Sequence, residues 1–158
     1  MVRALYPGSF DPVTRGHLDL IERARGIFDS VTVAVARNSA KSPLFDVEER
    51  MALLRHELDD DVEVVGFSEL VVDYCQREGY GAILRGLRNI ADFESEYQMA
   101  LTNRHLDARI ETVFLVPSEK FSFVSSSLIK DIVRHRGDVS RFVTPHVEQR
   151  MLEKLADR

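Results

Sequence analysis

The residues of this sequence best suited to chemistry lie in three separate segments, and the first of them ends in the tetrapeptide T-R-G-H. This segment, residues 7–17, is rich in turn formers and runs into a helix with apolar residues at helical spacing. A helix N-terminus offers free N–H groups and partial positive charge to a phosphate, and His17 adds an imidazole there. Gly16 lets the backbone approach an anion closely. Taken alone, the segment favours a plainer alternative, in which Asp11 and Thr14 only cap the helix and His17 is a surface residue.

The second segment contains two arginines three residues apart, Arg85 and Arg88, with Gly86 between them. Each guanidinium can bind two oxygens of a phosphate at once, so the pair suits a polyphosphate. A solvated pair of charges is an equally good interpretation of the two arginines alone. Because the two arginines follow the fourth predicted strand, we favour phosphate binding over a solvated pair of charges.

The third segment, residues 121–127, ends in three serines that open a helix beyond the fifth predicted strand. One serine can cap the helix, and the others add hydroxyl groups to the free backbone N–H groups of a second anion site. The alternative is a helix cap with more hydroxyls than it needs. Lys41 follows the second predicted strand, and a lone lysine there is usually just solvated.

Short apolar or β-branched runs alternate along the chain with segments of helical periodicity. The strands are predicted at residues 2–6, 31–36, 62–67, 82–84 and 112–116. Helices are predicted at residues 17–28, 46–58, 68–79, 92–106 and 125–136, with a last helix beginning at Pro145. This alternation predicts an α/β fold: a doubly wound, Rossmann-like, five-stranded parallel sheet with helices on both faces and an extra C-terminal helix. In the strand order 3-2-1-4-5, strands one and four would be neighbours, and ligands bind at such a switch point.

Composition excludes several other classes of protein. The chain has 158 residues, 44% of them hydrophobic and 30% charged, which suits one globular domain spanning residues 1–158. The net charge of −5 argues against general nucleic-acid binding, which needs a broad basic face. A single cysteine, Cys75, excludes a disulfide framework and is expected in the core. With no signal-peptide pattern and no long apolar stretch, we expect a cytoplasmic protein that does not bind membranes.

The three segments together resemble the motifs of a known superfamily. Residues 9–17, with their T-x-G-H ending, resemble the signature of the nucleotidylyltransferases, and residues 124–127 resemble their second motif, I-S-S-S/T. The resemblance to phosphopantetheine adenylyltransferases in particular covers residues 2–157. It is carried by further matching segments at residues 6–12, 85–88, 92–94 and 103–105.

The resemblance implies a reaction in which ATP and 4′-phosphopantetheine give dephospho-coenzyme A and pyrophosphate, with Mg²⁺ as cofactor. A phosphate monoester is mostly a dianion at neutral pH, so it can attack the α-phosphorus without a general base. Mg²⁺ would be held mainly by phosphate oxygens and water, so no metal-binding residue is assigned. The family also implies a homohexamer and feedback inhibition by coenzyme A at the same site.

The resemblance implies catalytic roles for three residues. His17 would stabilise charge on the α-phosphate, Lys41 would bridge the two reacting phosphates, and Arg88 would hold the β- and γ-phosphates. The residues that it assigns to phosphopantetheine are Ser9, Lys41, Val71 and Arg85. The residues that it assigns to ATP are Ser9, Phe10, His17, Gly86, Leu87, Arg88, Glu96, Phe121, Ser122, Phe123, Val124, Ser125, Ser126 and Ser127.

Two of these positions depart from the family pattern. Ser9 stands where many relatives have threonine, and the hydroxyl is kept. Val71 stands where relatives have leucine or methionine, so it offers the substrate a smaller apolar side chain. Tyr97 follows Glu96 where relatives often carry a smaller or aliphatic residue, and we assign it no role.

Three alternatives compete with this function. One is a nucleotidylyltransferase that acts on nicotinamide mononucleotide or uses CTP, against which the arginine segment at residues 85–88 and the short chain argue. Another is a regulatory module that binds nucleotide without catalysis. It is disfavoured because His17, Lys41, Arg88 and the serines are all present. A phospho-receiver domain needs acidic residues where the first strand ends, but residues 6–9 read Y-P-G-S.

Overall fold

A parallel sheet organises the computed structural model, which describes residues 1–37 and 42–156. Its strands in these residues are β1 (Arg3–Gly8), β2 (Ser30–Ala36), β3 (Glu63–Phe67), β4 (Ala82–Gly86) and β5 (Glu111–Leu115). They are hydrogen-bonded in the order β3-β2-β1-β4-β5, and each neighbouring pair is parallel. The predicted fold is therefore confirmed. The sheet has the doubly wound order that the sequence left open, and the carboxyl ends of β1 and β4 lie side by side.

The helices that connect and cover the strands are α1 (Arg15–Arg25), α2 (Val47–Glu57), α3 (Val71–Glu78), α4 (Ile90–Leu106), α5 (Ser126–Arg134) and α6 (Pro145–Ala156). A short 3₁₀ helix, Glu119–Phe121, precedes α5. α2 begins at the predicted capping box, in which Asp46 and Glu49 each accept the other's backbone N–H. α3 ends at Gly79 in the left-handed conformation, at a φ of 77°.

Several predicted boundaries were wrong by two or three residues, among them the end of α1, which was predicted at residue 28 and lies at Arg25. Ser68 does not begin a helix, since α3 begins three residues later and its N-cap residue is Leu70, which makes no side-chain capping bond. α4 begins before Asp92, because Asn89 caps it by accepting the Asp92 N–H. β4 continues two residues past the predicted end, to Gly86, since pairing with β5 extends that far.

The two faces of the sheet carry separate apolar cores. Alternate residues of the central strands face opposite sides, as the two-residue period of a strand requires. Tyr6, Val33 and Leu84 belong to the larger core, whose helical members come from α1, α2, α5 and α6. Leu5, Ala34 and Ile83 belong to the smaller core, together with residues of α3. Cys75 is fully buried there, as predicted.

The longest helix, α4, is poorly covered. Of its 17 residues only Asn103 is buried. Its exposed apolar side chains are Ile90, Phe93, Tyr97, Met99, Leu101 and Leu106. No helix in the described ranges is long and apolar enough to cross a membrane.

Candidate active site

A cavity of about 670 Å³ opens where β1 and β4 end. It is lined by residues from the β1–α1 loop, the end of β4, α4 and the N-terminus of α5. The residues predicted for the site that line it are Ser9, Phe10, His17, Val71, Arg85, Gly86, Arg88, Glu96, Phe121, Val124, Ser125, Ser126 and Ser127. Segments far apart in sequence therefore meet at one cavity, at the predicted switch point of the sheet.

Four predicted residues do not line this cavity or cannot be placed. Lys41 lies outside the residues that the structure describes. The Leu87 N–H donates to the carbonyl of Leu115, the Ser122 hydroxyl donates to the carbonyl of Glu119, and the exposed Phe123 ring packs against Phe142. None of these three contributes to the cavity wall, and their roles stay predictions.

The T-x-G-H tetrapeptide forms a reciprocal capping box at the start of α1. The Thr14 hydroxyl oxygen accepts the N–H of His17 at 3.2 Å, and the Thr14 N–H donates to Nδ1 of the His17 ring at 3.0 Å. The spacing of three residues between threonine and histidine follows from this geometry. Because Nδ1 accepts a backbone N–H, the proton of the neutral ring is on Nε2, which is free to donate to a ligand.

The environment of His17 favours its neutral form. Burial, together with the positive charges of Arg88 and Arg85, lowers the pKa of the imidazole from 6.5 to about 4, and burial is the largest cause. The edges of two aromatic rings hold the imidazole, with the Phe10 ring centre 4.9 Å away and that of Tyr6 6.4 Å away. At neutral pH the histidine is therefore a fixed hydrogen-bond donor rather than a cation.

The loop before α1 has a constrained backbone. Phe10 is almost fully buried and adopts a φ of 47°, which is rare for a residue with a side chain. A Cβ atom at Gly8 would lie 3.0 Å from the Phe10 ring, so glycine is needed there for the ring to keep its place. The Asp11–Pro12 peptide bond is cis. The cavity wall at Ser9 and Phe10 is thus fixed by the loop rather than by a regular element.

The two arginines are oriented by carboxylates of α4. Arg85 donates from Nε and Nη2 to the two oxygens of Glu96, at 2.7 and 2.6 Å, and from Nη1 to the carbonyl of Pro7. Arg88 donates to Asp92 at 3.1 Å and to the carbonyl of Val124 at 3.0 Å. Each guanidinium is therefore held by protein groups, although the Arg88 side chain is 38% exposed. The sequence did not identify Glu96 as the partner of Arg85.

The N-terminus of α5 provides a second set of N–H groups. The Ser125 hydroxyl caps the helix by accepting the N–H of Leu128 at 3.1 Å, and the Ser126 hydroxyl donates to the carbonyl of Pro12 at 2.8 Å. The first backbone N–H groups of a helix have no partner within it, and here they belong to Ser126 and Ser127. Both residues line the cavity, so this end of α5 suits an anion.

One side of the cavity is apolar. Its walls there include Ala36, Phe67, Val71 and Met99. Apart from Val71, these residues were missed by the sequence analysis, since apolar residues in strands and helices give no signal that separates a pocket from the core. Tyr6, whose hydroxyl pKa burial raises, was missed for the same reason.

The chain is similar to known proteins over most of its length. The model of the cytidylyltransferase-like family matches residues 5–132. A phosphopantetheine adenylyltransferase from Methylococcus capsulatus is 52% identical over 157 residues, which cover 98% of this chain and 97% of that protein.

Solved structures share the fold at low sequence identity. Plasmodium falciparum nicotinic acid mononucleotide adenylyltransferase in complex with NaAD matches 98% of this chain and 94% of its own, with a TM-score of 0.68 and 13% identity. A lipopolysaccharide core biosynthesis protein from Thermoplasma volcanium matches 75% of this chain and 97% of its own, with a TM-score of 0.56 and 24% identity.

Proposed function

Because the chain belongs to the cytidylyltransferase-like family, and within it to the phosphopantetheine adenylyltransferases, we propose that it transfers the adenylyl group of ATP to 4′-phosphopantetheine. The products are dephospho-coenzyme A and pyrophosphate. One observation carries the proposal: the capping box holds a neutral His17 in a cavity that also contains two oriented arginines and the N-terminus of α5.

The reaction proceeds as an in-line displacement at the α-phosphorus of ATP. An oxygen of the phosphopantetheine phosphate forms a bond to that phosphorus, and the bond to the β-phosphate oxygen breaks. Because the attacking group is already an anion, catalysis consists of alignment and stabilisation of charge. The Nε2–H group of His17 donates to an α-phosphate oxygen, where it stabilises the charge that develops in the transition state.

The remaining polar groups hold the two reactants. Arg88 and the N–H groups at the start of α5 bind the β- and γ-phosphates, while Arg85 binds the phosphate of phosphopantetheine. Ser9 contacts both substrates through its hydroxyl and backbone. Glu96 contacts the nucleotide in addition to orienting Arg85. Lys41 bridges the reacting phosphates, a role that rests on the family resemblance alone.

The apolar side of the cavity favours a pantetheine chain over a second nucleotide. Phe67, Val71 and Met99 offer no groups that would pair with a base or ribose, but they suit an alkyl amide arm. The similarity to a nicotinic acid mononucleotide adenylyltransferase is a likeness of fold. The apolar wall therefore weighs against the alternative substrate.

We propose Mg²⁺ as the cofactor, since nucleotidyltransferases generally use a divalent metal. Within the described ranges, no group of three or more histidine, cysteine or acidic side chains could hold a metal. Asp92 lies at the cavity but is paired with Arg88. The ion would be coordinated mainly by triphosphate oxygens and water, which Mg²⁺ prefers to keep.

Assembly and regulation follow the family resemblance. The exposed apolar side chains of α4 supply a surface for contact between subunits of a homohexamer. Coenzyme A contains the groups of both the product and the substrate, so it would compete as a feedback inhibitor in the same cavity. A cytoplasmic location is part of the same proposal.

Pyrophosphate release measured over a panel of acceptors tests the function. We expect release with ATP and 4′-phosphopantetheine, and none with nicotinamide mononucleotide as acceptor or with CTP in place of ATP. Adenylylation of nicotinamide mononucleotide without that of phosphopantetheine would show that the assigned substrate is wrong. ATP binding with no turnover of any acceptor would favour the regulatory module.

A further inference from the structure

We propose that Asp11, Lys130 and Arg50 form a buried charged network that positions the phosphate-binding walls of the cavity without touching substrate. The inference rests on the proposed function and adds positioning residues to it. All three side chains lie behind the cavity wall rather than in it. Asp11 and Arg50 are 3% and 2% exposed, so neither is a surface charge.

The carboxylate of Asp11 ties together three segments of the chain. Its Oδ2 accepts the N–H of Leu44 and its Oδ1 accepts the N–H of Phe45, each at 2.9 Å. The Nζ of Lys130, on α5, lies 2.9 Å from Oδ2. One side chain thereby joins the loop that leads to His17, the segment that precedes α2, and the helix whose N-terminus faces the cavity.

Arg50 makes a complementary connection from α2. Its Nη1 donates to the carbonyl of Ser9 at 2.8 Å and to the carbonyl of Ala36 at 3.2 Å, and both of those residues line the cavity. Ser9 precedes Phe10, whose positive φ persists only if the surroundings hold it. The guanidinium therefore holds in place the part of the loop that faces the substrates.

Stability alone does not explain charges at these positions. Burying ions is costly, and apolar side chains of similar volume often serve a core as well or better. The network instead orients the segments that it joins, because hydrogen bonds to a carboxylate or a guanidinium fix both distance and angle. A misplacement of about 1 Å at a catalytic site can lower the rate about 10²-fold, so the benefit should appear in kcat.

Two substitutions and a matched control test this network. Asp11→Asn keeps the shape of the side chain but removes its charge, whereas Lys130→Met removes the cation and leaves the two backbone hydrogen bonds of Asp11. The control is Glu49→Gln. The carboxylate of Glu49 also accepts a backbone N–H and pairs with a lysine, Lys154, but it lies away from this cavity.

We expect the substitutions in the network to lower kcat while the affinity for ATP stays nearly unchanged. Asp11→Asn should lower kcat roughly 10- to 100-fold and Lys130→Met roughly 3- to 10-fold, with the KM for ATP within about threefold of wild type in both. Glu49→Gln should keep kcat within about twofold of wild type. The ³¹P NMR shift of the α-phosphorus of bound ATP should move in Asp11→Asn and Lys130→Met but not in Glu49→Gln.

Other results would overturn the proposal. A folded Lys130→Met enzyme with wild-type kcat and an unmoved α-phosphorus signal would do so, as would an Asp11→Asn enzyme that loses only ATP affinity. If Asp11→Asn does not fold, the Lys130→Met result decides. A wild-type enzyme that releases no pyrophosphate would contradict the proposed function instead, and the NMR shift would still decide the positioning role.

Discussion

At the scale of single residues, the proposed mechanism depends on the protonation state and orientation of His17. One ring nitrogen is occupied by the Thr14 N–H, and burial together with two nearby arginines keeps the ring neutral. A neutral donor needs no proton transfer, which suits a reaction whose nucleophile is already ionised. The imidazole should therefore matter for the transition state more than for ATP binding.

Replacing His17 by alanine should lower the turnover rate without weakening the binding of ATP. We expect kcat to fall roughly 10²- to 10³-fold, as when one transition-state donor is lost, with the Kd of ATP nearly unchanged. Steady-state kinetics and calorimetric titration measure the two effects. His135→Ala, which alters an exposed histidine at the end of α5, is the control and should leave both values unchanged. Equal losses of rate and affinity in His17→Ala would contradict the role.

Substitution of Arg85 and substitution of Arg88 should weaken the binding of different substrates. Arg88→Ala should weaken ATP binding far more than phosphopantetheine binding, and Arg85→Ala should do the reverse, because the proposed mechanism assigns a different phosphate to each guanidinium. Titration of both ligands against both variants measures this. The same pattern of losses in the two variants would refute the division.

The pKa of His17 gives a prediction about pH. A pKa lowered from 6.5 to about 4 means that, between those values, the unfolded chain binds a proton that the folded chain does not. His17 therefore contributes stability that is present above pH 6.5 and is lost as the pH falls toward 4. NMR titration of the ligand-free enzyme should show the low pKa, and denaturation of His17→Ala should depend less on pH in that window. A His17 pKa near 6.5 would contradict this account of the site.

At the scale of secondary-structure elements, two helix N-termini converge on the cavity. α1 begins with the Thr14–His17 box, and α5 begins with Ser125 as its cap. In α1 the same hydrogen bonds stabilise the helix and orient a ring that lines the cavity. The capping box of α2, formed by Asp46 and Glu49, has the same form but lies outside the cavity wall.

The two capping boxes allow a matched comparison. Thr14→Ala and Asp46→Ala should each destabilise the protein by about 1 kcal/mol, the usual cost of losing a cap. Only Thr14→Ala should also lower kcat, by roughly tenfold or more, because it releases the His17 ring from one partner. Chemical denaturation and steady-state kinetics measure the two effects. Equal kcat values in the two variants would show that the threonine serves the helix alone.

The sequence was sufficient to predict the elements and the loops that carry chemistry, but not how the side chains pair. Alternation of strands and helices, with turn formers after β1, placed His17 and Arg88 at one edge of the sheet. The Arg85–Glu96 pair and the contacts of Asp11 could not be predicted, since they join segments whose spacing in sequence carries no signal. The Ser68 boundary was wrong because α3 has no side-chain cap: its N-cap residue is Leu70, which capping preferences do not identify.

At the scale of the whole molecule, α4 links the site to the exposed surface. Its carboxylates orient both arginines, while Phe93 and Tyr97 stack on each other at 5.6 Å and are exposed. Tyr97, which the sequence analysis left without a role, thereby belongs to the surface proposed for assembly. Contact between subunits would bury the apolar side of a helix that the sheet leaves uncovered.

A charge on that surface should weaken assembly. If the chain forms the proposed hexamer, Tyr97→Glu should convert it to smaller species, which sedimentation velocity detects, because an isolated carboxylate is costly to bury at a contact. Glu148→Gln, a change of charge on α6, is the control and should leave the sedimentation coefficient unchanged. An unaltered hexamer in Tyr97→Glu would place the interface elsewhere.

The central claim is that remote segments form one anion-binding cavity in which His17 meets the α-phosphate. A crystal structure with bound ATP tests it most directly. The account predicts the triphosphate between Arg88 and the N-terminus of α5, with an α-phosphate oxygen within hydrogen-bond distance of Nε2 of His17. A nucleotide bound with its α-phosphate away from His17, or outside this cavity, would contradict it.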